Sequence, residues 1–236
     1  MGDDGAMVIE RVLPEGVASA DTFEEIEEAL FDEELSSIEH AVERRVLEFT
    51  TVRGCARRAL SDLGMARTPM PSKSGHGPQW PQGVVGSMTH CEGYRAAAAG
   101  YSSQWLSMGI DAEPDLPTPE GVLKEISLPR ERRLLKALQA IDPSHAWDRL
   151  LFSAKESVYK AWWPVMRRWL GFEEVAVMVD RPTGAFTVHA LSDNARTCPM
   201  LDGAHGRWLA DQGHLVTALV LPSLDSGKRL SRDYLA

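Results

Sequence analysis

Between Ala146 and Trp163 the residues Trp147, Leu150, Leu151, Ala154, Val158, Ala161 and Trp162 recur at helical spacing and mark one continuous apolar face. A helix so apolar on one side must be covered. The stretches 174–180, 184–190 and 214–221 behind it read as strands, the first two joined by a turn over Arg181–Gly184. Helix laid on sheet is therefore the arrangement this half is bound to. The same order appears upstream, where Leu35, Ile38, Val42, Val46, Phe49, Val52, Ala56, Ala59 and Leu63 repeat at threes and fours. Thr50-Thr51 and Gly54 are expected to divide that helix in two, and Gly64 ends it. A Pro/Gly-rich loop over 65–83 follows, then short strands at Val84–Ser87, Tyr94–Tyr101 and Trp105–Ala112, the middle one weakened by four alanines. Residues 119–126 and 130–140 read as short helices. The expected class is α+β, each half reading as helices followed by strands, with the lobe boundary near Pro114: residues 1–114 and 115–236.

No repeat of 20–50 residues and no low-complexity tract is visible, which disfavours solenoids and propellers. No uncharged apolar stretch reaches the length of a membrane span, and Met1-Gly2-Asp3-Asp4-Gly5 lacks the basic flank and apolar core of a signal peptide. A cytoplasmic protein is expected, without membrane or nucleic-acid partners and acting as a monomer. Cys55, Cys91 and Cys198 are far apart with no CxxC, so free thiols are expected rather than disulfides or structural zinc.

The net charge of −9 is unevenly placed. Residues 21–43 carry ten acids and no Lys or Arg, which accounts for all of it. The next stretch, 44–73, holds Arg44, Arg45, Arg53, Arg57, Arg58, Arg67 and Lys73 against Glu48 and Asp62. That is either a solvated helix face or a place for an anion.

Asp111 and Glu113 stand two apart at the end of an apolar strand, so their carboxylates leave the same face. They suit Mg²⁺, which takes one or two carboxylates and completes its shell with water and substrate phosphate, although by spacing alone an exposed strand end is the more frequent explanation. Glu156 and Lys160 are four apart on the strongest helix, as a surface ion pair or as a third carboxylate and a cation for phosphate. Gly86-Ser87-Met88-Thr89-His90 departs from Gly-x-Ser-x-Gly, which excludes a nucleophile elbow. GxxxxGK[ST], GxGxxG and HExxH are all missing, against P-loop enzymes, dinucleotide folds and zincins.

Taken together and in order, Trp80-Pro81-Gln82-Gly83-Val84-Val85-Gly86-Ser87-Met88-Thr89-His90-Cys91, then Gly109-Ile110-Asp111-Ala112-Glu113-Pro114, then Phe152-Ser153-Ala154-Lys155-Glu156-Ser157-Val158-Tyr159-Lys160-Ala161-Trp162 resemble the 4′-phosphopantetheinyl transferases of the Sfp/EntD type. The Arg45–Arg57 stretch and Trp169-Leu170-Gly171-Phe172 resemble the actinobacterial branch, and the likeness covers about residues 40–175.

The resemblance implies a pseudo-dimeric fold that binds coenzyme A and Mg²⁺, with Mn²⁺ as an alternative, between its lobes. A serine of an apo acyl or peptidyl carrier protein attacks the β-phosphate of coenzyme A, and adenosine 3′,5′-bisphosphate leaves. It assigns Asp111, Glu113 and Glu156 to the metal, with Glu156 also the base for the serine. Arg45, Arg53, Lys73 and His90 go to the nucleotide phosphates, and Lys155 and Lys160 face the diphosphate. A non-catalytic coenzyme A-binding or carrier-docking protein and a metal-dependent phosphoesterase are the competing classes.

Overall fold

The computed structural model describes residues 7–72 and 77–224. A 3₁₀ turn at Ile9–Val12 precedes strand β1 (Ala18–Thr22), the one-turn helix α1 (Asp32–Leu35) and the long helix α2 (Glu43–Asp62). The antiparallel hairpin of β2 (Val84–Cys91) and β3 (Tyr94–Tyr101) follows, then β4 (Trp105–Pro114). Helices α3 (Val122–Ile126), α4 (Pro129–Ile141) and α5 (Trp147–Met166) lead to strands β5 (Val175–Asp180) and β6 (Ala185–Ala190). A short α6 (Asp193–Arg196) and the hairpin of β7 (His205–Asp211) and β8 (His214–Pro222) complete the chain. Among the described residues, no helix is long and apolar enough to cross a membrane.

The α+β class is borne out as two antiparallel sheets, one ordered β1-β3-β2 and the other β4-β8-β7-β6-β5. The division between sheets falls ahead of β4, not near residue 114. From Ser107 to Pro114, β4 pairs with β8, from a partner segment a hundred residues away that local patterning does not reveal. Strands β2 and β4 then lie side by side without a backbone ladder. Ser87 Oγ accepts the Ile110 N–H and Thr89 Oγ1 accepts the Ala112 N–H, each at 3.1 Å, so two hydroxyls join the sheets.

The four alanines of β3 are what its position requires. Ala97 and Ala99 pack under Cys55, Ala56 and Ala59 of α2, and Ala96 and Ala98 face the cluster of Met108, Ile110 and Val216, all fully buried. Small side chains on both faces let layers approach from both sides. Helix α2 is continuous through Gly54, contrary to the expected break; a Cβ there would come within 3.2 Å of the Ile26 side chain, so the glycine serves close packing of the preceding segment on the helix. The helix begins at Glu43 instead of Leu35. Leu35 and Val42, expected inward, are exposed, and Glu34 beside them is buried.

The face predicted for α5 is the core of the second lobe: Trp147, Leu150, Leu151, Ala154, Val158, Ala161 and Trp162 are all buried. This helix crosses β4 at Gly109, where a Cβ would fall inside the shells of the Ser157 carbonyl and the Ala161 nitrogen. Only glycine permits that approach. It fixes the height at which the polar edge of α5 meets the end of β4. All three cysteines are free, as expected.

Candidate active site

At that crossing, Lys160 of α5 reaches Asp111 of β4. Its Nζ lies 2.7 Å from Asp111 Oδ1, 3.1 Å from the Ile110 carbonyl oxygen and 3.4 Å from Thr89 Oγ1. All three ammonium hydrogens are thus directed to β4 and to the adjacent end of β2. Asp111 is buried, and while Oδ1 takes Lys160 and Thr89, its Oδ2 is buried with no hydrogen-bond partner among the described residues. An unsatisfied carboxylate oxygen at the seam of two lobes is costly unless something positive completes it.

Two residues on, Glu113 Oε2 accepts from Arg149 Nη1 at 3.0 Å. Arg149 donates also to the carbonyls of Leu116 and Pro117, both at 3.0 Å, tying the proline-rich crossover to the same carboxylate. The sequence reading passed over Arg149. Its signal was position: it precedes Glu156 by seven residues, two turns along the polar edge of α5.

Glu156 has no hydrogen bond or ion pair among the described residues. Burial and then the Asp111 charge push its carboxyl above the usual range, against the opposing pull of Lys160. Glu113 is raised in the same way, by burial and then Asp111, with Arg149 and Lys160 opposing. Asp111 thus acts electrostatically on both. Even so, among the described residues no three His, Cys, Asp or Glu groups gather closely enough to hold a metal ion, and Asp111, Glu113 and Glu156 stand apart by that measure.

A cleft of about 1110 Å³ leads away from Glu156 and Lys160 between Trp80 and Met88 on one side and Tyr159 and Trp163 on the other. Trp80, from the Pro/Gly loop, lies directly on Gly86.

His90 ends β2 on the opposite face from Thr89, the face covered by α2. Arg45 Nη1 of that helix lies 2.9 Å from His90 Nε2. A guanidinium can only donate, so Nε2 is the acceptor in this contact and the imidazole is neutral. Consistently, His90 is held below its ordinary value, first by removal from water and then by the charge of Arg45, with Glu48 opposing. Glu48 Oε2 sits 3.7 Å from Arg45 and 3.5 Å from His90.

Two residues assigned to phosphates by the resemblance lie elsewhere. Arg53 is buried, with its guanidinium over the Phe49 ring, 3.4 Å from Glu34 and donating to the Met70 carbonyl and Ser72 Oγ at 3.1 Å. Lys155 points into the protein, not the cleft. Its Nζ meets Glu131 at 2.9 Å and the carbonyls of Ile126, Phe172 and Val175. One helical step, about 100° of rotation, separates it from Glu156 and turns it to the buried side of α5. Lys73 lies outside the described residues.

Two family models match the chain: a 4′-phosphopantetheinyl transferase N-terminal domain over residues 32–100, and the 4′-phosphopantetheinyl transferase superfamily over 107–218. Their junction coincides with the division between the two sheets. The chain is 49% identical over 194 residues to 4′-phosphopantetheinyl transferase Svp of Streptomyces mobaraensis, covering 81% of this chain and 78% of that protein. It is 43% identical over 223 residues to 4′-phosphopantetheinyl transferase Npt of Nocardia iowensis, 90% of this chain and 99% of that one. A third relative, 4′-phosphopantetheinyl transferase PptT of Mycobacterium tuberculosis, is 43% identical over 80% of this chain and 85% of its own length.

Proposed function

The chain belongs to the 4′-phosphopantetheinyl transferase superfamily, and on that premise we propose how its residues divide the transfer of phosphopantetheine from coenzyme A to a carrier-protein serine. The serine Oγ bonds to the β-phosphorus of coenzyme A, the bond from that phosphorus to the bridging oxygen breaks, and adenosine 3′,5′-bisphosphate departs. The carrier gains the phosphopantetheine arm.

Glu156 takes the serine proton. It faces the cleft, has no competing partner among the described residues, and holds a proton more readily than an ordinary glutamate, as a base working near neutral pH should. Lys160 acts through its charge, since its hydrogens are already directed to β4: it holds Asp111 and Thr89 in place and offsets the negative charge of the transferring group. Arg45 and His90 bind the nucleotide phosphates at the α2 face, with Arg53 behind them fixing the Met70–Ser72 segment that leads to Lys73.

The partnerless Asp111 Oδ2, with Glu113 and Glu156, fits a hard divalent cation. An open, all-carboxylate set suits Mg²⁺, whose remaining positions go to water and phosphate oxygens. Bound there, it would supply Lewis-acid stabilisation of the diphosphate. The buried, unsatisfied oxygen at the lobe seam is the observation that carries this reading.

Incubation with coenzyme A, Mg²⁺ and an apo-carrier should convert the carrier to its phosphopantetheinylated mass. A phosphoesterase would instead consume coenzyme A without a carrier, and a docking protein would leave both unchanged. Full transfer in the presence of EDTA would remove the metal from the scheme.

A further inference from the structure

Arg95 stands at the start of β3, directly opposite His90 in the β2–β3 register. It shares strand parity with Ala97 and Ala99, which pack under α2, so its side chain leaves on the face from which Arg45 approaches His90. It is only 9% exposed.

What separates Arg95 from the other buried cations of this fold is the lack of a counter-ion. The buried Arg53 and Arg57 share Glu34 and Lys155 has Glu131, and even the half-buried Lys160 and Arg149 have Asp111 and Glu113. Among the described residues Arg95 makes no ion pair and no side-chain hydrogen bond, and its Nε is buried without a partner. A guanidinium cannot shed its proton to escape this cost. A fold that buries one and supplies no anion leaves a place for an anion from outside. Glu48, the acid beside His90, is engaged with Arg44, Arg45 and His90.

We propose that Arg95 is a phosphate-binding residue of the coenzyme A site, pairing with the 3′-phosphate beside His90 and Arg45. This rests on the coenzyme A reading above and adds to it a residue that neither the motifs nor their spacing pointed to.

The test compares wild type with Arg95→Met and Arg95→Lys, using coenzyme A and dephospho-coenzyme A as ligands in calorimetry and as substrates. Losing a charge-assisted hydrogen bond should weaken coenzyme A binding about 10- to 150-fold in Arg95→Met. Dephospho-coenzyme A should bind it nearly as well as it binds wild type, and kcat at saturation should change little. Arg95→Lys should recover part of the loss. Without ligand, Arg95→Met should melt no lower than wild type, since an uncompensated buried charge is gone, and should gain less from added coenzyme A. An unchanged preference for coenzyme A over the dephospho form in both variants would overturn the proposal. So would an Arg95→Met protein that melts lower than wild type yet keeps the full coenzyme A shift, because Arg95 would then serve the fold alone. Should wild type bind coenzyme A but modify no carrier, the transferase reading fails while the binding comparison still decides Arg95.

Discussion

Lys155 and Lys160 sit on one helix and carry the same side chain, yet depth gives them different work. Lys155 is 2% exposed and saturated by Glu131 and three carbonyls, joining α3, α4 and the 3₁₀ turn before β5 to the centre of α5. Lys155→Met strands the Glu131 carboxylate in the core and should lower the unfolding free energy by about 3–5 kcal/mol in urea titrations, while KM for coenzyme A stays near wild type. A large KM effect with full stability would return Lys155 to the phosphates. For Glu156, removing the base in Glu156→Gln should slow single-turnover transfer by about 10² or more with the fold intact. The base must be deprotonated to act, and its carboxyl is raised above the ordinary 4.5. The rate of wild type should therefore fall on the acid side, at a pH that moves down as added Mg²⁺ favours the carboxylate, and Glu156→Gln should lose that limb. The carboxylates and Lys160 were readable from spacing because strand and helix periodicity report direction. Lys155 and Arg53 were not, because periodicity does not say whether a cation pointing inward finds a ligand or a buried glutamate.

The acidic segment shows the same limit for whole elements. The spacing of its ten acids gives them no role, but the segment runs along α2 and fastens there through Glu34, which is fully buried and accepts from the Phe31 and Met70 N–H groups and the Arg57 guanidinium. Glu28 adds a second tie, 3.1 Å from Arg57 and 2.8 Å from Arg67. Apolar periodicity placed the helix start at Leu35; the ion pairs moved it to Glu43 and turned Glu34 inward. Burial alone would raise the Glu34 carboxyl, but the two N–H groups and Arg57 outweigh it and hold it below the ordinary 4.5. A lowered folded pKa means stability present above the unfolded value and lost as pH falls through the folded one. Glu34→Gln leaves Arg53 buried without a carboxylate and Arg57 with Glu28 alone. It should cost about 3–5 kcal/mol at pH 7, and the gap from wild type should narrow as urea titrations are carried below pH 4.5, where wild type loses the same contribution. A gap constant with pH would mean that Glu34 acts only as a space-filling acceptor. Strands β1 and β7 escaped the sequence reading for a related reason. Ala18-Ser19-Ala20-Asp21-Thr22 is short and polar, and only its pairing with β3 makes it a strand.

For the molecule as a whole, the decisive feature is the seam between the sheets, and long-range pairing created it. Because β4 left its sequence neighbours to pair with β8, the β2 and β4 ends face each other across two hydroxyls, and carboxylates from one sheet meet donors from the other. The partner must approach this seam despite the net charge of −9, since carrier proteins are typically acidic. Docking must therefore be local, and the structure distinguishes two basic pairs, Arg132 and Arg133 on α4 and Arg167 and Arg168 just after α5. Arg132 is half-buried and donates to the Ser127 carbonyl at 2.6 Å, whereas Arg167 and Arg168 are exposed where α5 ends. Arg167 lines the same cleft as Glu156, and Trp169, 69% exposed, rests against Tyr159 at 5.3 Å between ring centroids. Exposed charge beside an exposed aromatic at the mouth of the cleft is the composition of a docking rim. Reversing Arg167 and Arg168 together to Glu should raise KM for the carrier about tenfold at low salt, with KM for coenzyme A unchanged, because rim charges act mainly on the association rate. The same reversal at Arg132 and Arg133 should do less. Raising ionic strength should shrink the first effect, as screening weakens attraction in wild type and repulsion in the variant alike. Carrier KM measured over a salt series for both paired variants decides the matter: a 167/168 curve lying on that of wild type would put the docking surface on another face of the protein.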